Sequence, residues 1–114
     1  MTVQNLAELI KGTVRTKKGN ENKITCAYIS DLLSWVMAKG QRGCAWITVQ
    51  THMNVIAVAT LHEMACVIFP ESIQPEPEPL KKADEEGIAV IVSELSAYEI
   101  AGIMISHGIP PTNE

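Results

Sequence analysis

Two short runs, CVIF (66–69) and IAVIV (88–92), are apolar at every position, so neither face of such a strand can meet water. They lack the apolar-polar alternation that marks a half-exposed antiparallel strand. Runs of this kind suit a parallel sheet covered on both sides by helices. Two further β-prone runs precede them, ITCAYIS (24–30) and CAWITV (44–49). Each of the four leads into a helical stretch: LLSWVMAKG, NVIAVATLHEMA, PEPLKKADEEG and SAYEIAGIMISHG. The expectation is one α/β domain over residues 1–114, in three layers, with a mainly parallel sheet of about four to five strands flanked by helices.

Thr2 reads as the N-cap of a first helix from Val3 to about Lys11, with Leu6, Leu9 and Ile10 on one face and Gly12 ending it. TVRTKKGNENKI is polar around Gly19-Asn20 and reads as a short strand or loop followed by a turn. Residues 70–79 hold most of the prolines and form a stiff connector that enters its helix near Glu78-Pro79. Residues 109–114 read as a tail.

A chain of 114 residues can bury roughly two thirds of its unfolded surface and fold without staples. With 46% apolar and 19% charged residues, the composition is that of a globular domain rather than a disordered one. The net charge is −4 and the one basic cluster is Arg15, Lys17 and Lys18, so a nucleic-acid partner is not expected. Cys26, Cys44 and Cys66 lie inside apolar runs, and no pair has the spacing of a zinc or redox motif; they read as small core residues in a reducing cytoplasm. The opening MTVQNLAELIKG has no signal-peptide pattern, and no segment reaches about 18 uninterrupted apolar residues, so no membrane partner is expected.

In a parallel sheet the carboxyl ends of all strands share one edge, and ligands bind in the crevice there. The polar residues of this sequence fall at those ends: Ser30-Asp31, Gln50-Thr51-His52, Glu71-Ser72 and Ser93-Glu94 with Ser96. Asp31, Thr51, Asn54 and Ser96 are also the residue types that cap helices, which needs no ligand. Gln50 and His52 are poor caps set against apolar sequence, and point more directly to binding. The candidate ligand site is Ser30, Asp31, Gln50, Thr51, His52, Asn54, Ser93 and Ser96. Exposed helix N-terminal amides beside these donors suit a phosphate or carboxylate, hence a small anionic metabolite or nucleotide.

No phosphate-loop, dinucleotide or nucleophile-elbow motif is present. His62-Glu63 is followed by Cys66 rather than a second histidine, so it reads as the polar stripe of an apolar helix, without a metal. No cofactor or catalytic residue is expected, although His52 as a base oriented by Asp31 or Glu94 is a geometric possibility. NVIAVATLHEMA and SAYEIAGIMISHG carry more apolar surface than one buried face requires, which points to a homodimer.

AYISDLLSWVMA, AWITVQTHMNVIAVA and GIAVIVSELSAYEIAG, in that order, resemble a small stand-alone DRTGG domain, over about Val3 to Gly108. The resemblance implies a regulatory or ligand-sensing module rather than a catalyst, and members encoded near redox genes imply a larger enzyme as a possible partner. This chain departs from the name-giving residues. It has Thr51-His52-Met53 where many members carry Gly-Asp-Arg, and Phe69-Pro70-Glu71 where they carry Thr-Gly-Gly.

Overall fold

A computed structural model describes residues 1–114. The helices are α1 (Val3–Leu9), α2 (Leu33–Lys39), α3 (Met53–Leu61), α4 (Pro77–Glu86) and α5 (Ala97–Ser106). The strands are β1 (Gly12–Val14), β2 (Cys26–Ile29), β3 (Cys44–Ile47), β4 (Cys66–Phe69) and β5 (Ala89–Ser93), in one sheet of order β1-β5-β4-β3-β2. β2 to β5 are parallel and β1 runs antiparallel along β5. The expected three-layer α/β domain is the observed one.

The doubly apolar strands divide their residues between two cores. On one face Ala45, Ile47, Cys66, Ile68 and Ile91 pack under α1 and α5 through Leu6, Ile10, Ile100 and Met104. On the other, Cys26, Cys44, Trp46, Val67 and Phe69 pack under Val36 of α2, Val55 and Ile56 of α3, and Ala83 of α4. Successive parallel strands step in one direction across the sheet, so right-handed crossovers carry α2, α3 and α4 to the same side. Three helices pave one face, and two are left for the other.

Local chemistry explains most of the helix ends. Thr2 caps α1 in a capping box, its hydroxyl accepting from the Asn5 N–H while the Asn5 side chain accepts from the Thr2 N–H. α1 ends before Lys11, whose φ of 54° turns the chain directly into β1. α4 starts at Pro77, two residues before the expected Pro79, with both prolines in the first turn where a missing N–H costs nothing. It stops at Gly87, whose φ of 73° is the left-handed cap glycine supplies most easily.

α3 ends earlier than its sequence suggests. His62-Glu63 is no stripe on the helix: Leu61 is the last helical residue and Glu63 takes a φ of 54°. The His62 Nε2 donates to the Met37 carbonyl at 2.9 Å, and Glu63 pairs with Arg42 at 2.5 Å, so contacts to the α2–β3 region override the local helical pattern. α3 buries Val55, Ile56, Val58 and Ala59, and leaves Met53, Ala57 and Leu61 exposed along its outer stripe. The C-terminal residues are also fixed. Ile109 is buried, the Pro110 carbonyl accepts from the Ala27 N–H at 3.1 Å, and the Gln41 side chain binds Thr112 and Asn113.

Candidate functional site

Because β2 to β5 are parallel, the residues that follow them do share one edge. At the ends of β2 and β3 they form one hydrogen-bonded group. The Asp31 Oδ1 accepts from the Thr48 hydroxyl at 2.8 Å and from the Val49 N–H at 2.9 Å. The Gln50 side-chain amide donates to the Asp31 carbonyl at 3.0 Å, and the Gln50 N–H donates to the Thr48 Oγ1 at 3.2 Å. One residue earlier, the buried Trp46 indole donates to the Ser30 carbonyl at 2.9 Å.

These bonds explain why the expected caps do not form. Ser30 and Asp31 leave α2 without a side-chain cap: Leu32 occupies the N-cap, and the Ser30 hydroxyl accepts only the Leu32 N–H at 3.2 Å. The buried Thr48 hydroxyl needs an acceptor, and the Asp31 carboxylate supplies it across the strand gap. At α3, His52 sits at the N-cap with no side-chain hydrogen bond to the helix, and neither Thr51 nor Asn54 caps it. The first amide groups of α3 therefore lack a side-chain acceptor, with Thr51 half-buried and His52 and Asn54 exposed beside them.

Ser93 and Ser96 stand apart from this group. β4 separates their strand from β3, and both hydroxyls are committed. Ser93 is fully buried, donating to the Ile10 carbonyl at 2.6 Å and accepting from the Leu95 N–H at 3.1 Å. Ser96 caps α5 in a capping box with Glu99, whose carboxyl is lowered from its usual range by the Ser96 N–H and hydroxyl. Glu71 and Ser72, after β4, both adopt left-handed backbone, φ 55° and 58°, and their N–H groups donate to the carbonyls of Leu95 and Ser93.

The gathered part of the edge is Ser30, Asp31, Gln50, Thr51, His52 and Asn54. It can offer an anion the free amides of α3, an imidazole and a carboxamide. No hydrogen bond joins His52 to Asp31 or Glu94, and Asp31 is engaged in holding β3. No group of three or more His, Cys, Asp or Glu side chains converges as metal ligands. The thiols are buried: desolvation pushes Cys66 up to about 12 and also raises Cys44, which adjoins Cys26.

Three surface features were not apparent in the sequence. Apolar side chains surround the edge, with Ile29, Leu32, Trp35, Val49 and Met53 between 40 and 55% exposed. A polar hollow of about 740 Å3 lies at the opposite, amino-terminal edge, lined by Asn22, Arg42, Thr60 and Glu63 among others. An apolar groove of about 470 Å3 lies between β2, α5 and Pro110-Pro111. Their residues come from distant segments and carry no shared spacing that could have marked them.

No protein-family model matches the sequence, and no curated protein is significantly similar to it. Among solved structures the chain is similar to the CBS and DRTGG domains of the regulatory region of a Clostridium perfringens pyrophosphatase, in complex with its activator diadenosine tetraphosphate. The TM-score is 0.77 at 12% identity over 98% of this chain. The chain has a DRTGG-type fold. It spans 48% of the chain of that structure, and the likeness is one of fold. Within the DRTGG-type fold, no helix is long and apolar enough to cross a membrane.

Proposed function

We propose that this protein is a non-catalytic regulatory domain of the DRTGG type that senses a small anionic metabolite or nucleotide at the carboxyl edge of its sheet. The observation that carries the reading is the uncapped start of α3 beside Gln50, Thr51, His52 and Asn54, in a fold similar to a regulatory region that binds a nucleotide activator. An anion there would accept the N–H groups that no side chain satisfies. Ser30 and Asp31 serve as its support, and Ser93 and Ser96 contribute only by fixing the far end of the same edge.

The experiment is thermal unfolding of the whole protein with diadenosine tetraphosphate, ATP, ADP and inorganic phosphate, each in wild type, His52→Ala and Asn54→Ala. A ligand at a hundred times its Kd stabilises the fold by about 2.7 kcal/mol, a readily measured rise in Tm. No rise with any probe, or a rise that survives both substitutions, overturns the site.

We further propose self-association through the outer stripe of α5, where Tyr98 and Ile105 are 89% and 74% exposed and Gly102 between them permits close approach. The exposed apolar surplus of α5 supports this, and α3 adds a second exposed stripe at Met53, Ala57 and Leu61. A second reading, a subunit that docks on a larger enzyme without a small ligand, is favoured by the apolar corner around Trp35, a residue type that often anchors interfaces. Isolation from the native cell separates them: a stoichiometric partner lost with Trp35→Ala favours docking, and a retained nucleotide favours sensing.

A further inference from the structure

The apolar groove lies where the fold runs short of helices. β2 is the sheet edge farthest from α1, which packs on β1 and β5, and the three crossover helices all lie on the opposite face. Ala27 and Ile29 of β2, with Ile47 of β3, form the floor. Ala101 and Met104 of α5 stand on one side, and Pro110 on the other. Ile105 marks the boundary with the outer stripe of α5. Ile29 is left 48% exposed, although it follows three residues that the sheet, helices and C-terminal residues largely cover.

We infer that this groove is a binding site for an uncharged, predominantly apolar small molecule with one hydrogen-bonding group. Three properties specify that ligand. The volume, about 470 Å3, is within the range of small-molecule sites, roughly 300–1,000 Å3, and it is walled on both flanks rather than flat. No charged side chain lines it, in a chain of net charge −4, so it offers an anion no counter-charge and a cation no carboxylate. The third property is a backbone donor. The Ala27 N–H points out of the sheet, where the Pro110 carbonyl meets it, and the Ser30 N–H points inward to the Ile47 carbonyl at 3.3 Å. Alternation along the strand then directs the Ile29 N–H outward as well, beyond the reach of β3. The Ile29 carbonyl points the same way, so one hydrogen-bonding group on an otherwise apolar ligand would pair with the strand edge. The site is separate from the anion site in chemistry, and the inference rests on neither that reading nor on self-association.

The test uses N-phenyl-1-naphthylamine, an uncharged fluorophore, with its anionic relative 1-anilinonaphthalene-8-sulfonate as the contrast. The whole protein is titrated as wild type, Ala27→Phe, which fills the floor, and Ile29→Glu, which sets a carboxylate in it at an exposed position. Circular dichroism checks that each variant folds, and sedimentation velocity records its oligomeric state. The expected result is saturable 1:1 binding of the uncharged probe to wild type, weakened at least tenfold by each folded variant, with the anionic probe bound at least tenfold more weakly. Should one variant fail to fold, the other still decides. The inference is overturned if wild type shows no saturable binding, if a folded variant binds as wild type does, or if the anionic probe binds equally well. It is also overturned if wild type is a dimer that Ile29→Glu converts to monomer, because a second copy of the chain would then fill the groove.

Discussion

The Asp31 carboxylate accepts the Thr48 hydroxyl at 2.8 Å, so a residue after β2 secures the buried hydroxyl that directly follows β3. The same oxygen accepts the Val49 N–H, making Asp31 a latch between the two strands rather than a helix cap. Asp31→Ala leaves the Thr48 proton without its acceptor and is expected to cost about 2 kcal/mol. Asp31→Asn keeps an oxygen in place and should cost about half as much. Urea unfolding of both, with Thr48→Val to close a double-mutant cycle, measures the coupling, expected at about 1 kcal/mol. Additive effects would show that the latch contributes nothing.

Ser72 is exposed and left-handed at φ 58°, a conformation that costs a residue with a side chain about 1 kcal/mol and glycine almost nothing. After the entropy that glycine adds to the unfolded chain, Ser72→Gly is expected to stabilise by about 0.5 kcal/mol. Ser72→Ile should destabilise by about 1 kcal/mol, since a β-branched side chain tolerates this region worst. Chemical denaturation of the pair reads both signs at one site.

Glu99 supplies an acid dependence through the α5 capping box. Its folded-state carboxyl is lowered by the hydrogen bonds from Ser96, so the stability it contributes is present above the usual glutamate range and is lost as pH falls through its folded value. Glu99→Gln cannot titrate. Melting temperatures of wild type and variant should differ most near neutrality and converge in acid.

The thiols of Cys44 and Cys66 are held protonated by burial, and Cys26 is buried with them. At pH 8 all three should react with iodoacetamide far more slowly in the native protein than in urea, because the thiolate is the nucleophile. Mass spectrometry of timed samples counts the adducts. Fast native labelling of any one of them would contradict the burial.

The sheet was readable because CVIF and IAVIV leave no polar face, and a wholly apolar strand has few places to go. α5 was readable for a similar reason, since Ser96 and Glu99 satisfy each other within one turn. Contacts between distant segments were not. Asp31 looks like a cap until β3 is placed beside it, and His62 looks helical until the Met37 carbonyl arrives. IPPTNE looks like a free tail until Gln41, 71 residues before Thr112, is brought against it. The meeting of Asp31 with Gln50 was legible because parallel strands place the ends of β2 and β3 together. The burial of Ser93 was not legible, because its hydroxyl faces Ile10, a partner 83 residues away. The apolar groove depends on which strand is left at the edge, and strand order is written in no local pattern.

The indole of Trp46 bonds to the carbonyl immediately before Asp31, so a fluorophore sealed in the interior is wired to the polar edge. A molecule that shifts residues 30–31 by a fraction of an ångström would change the emission of that indole without touching it. With the solvent-facing Trp35 replaced by phenylalanine, the protein would become its own optical gauge of occupancy, free of any attached dye.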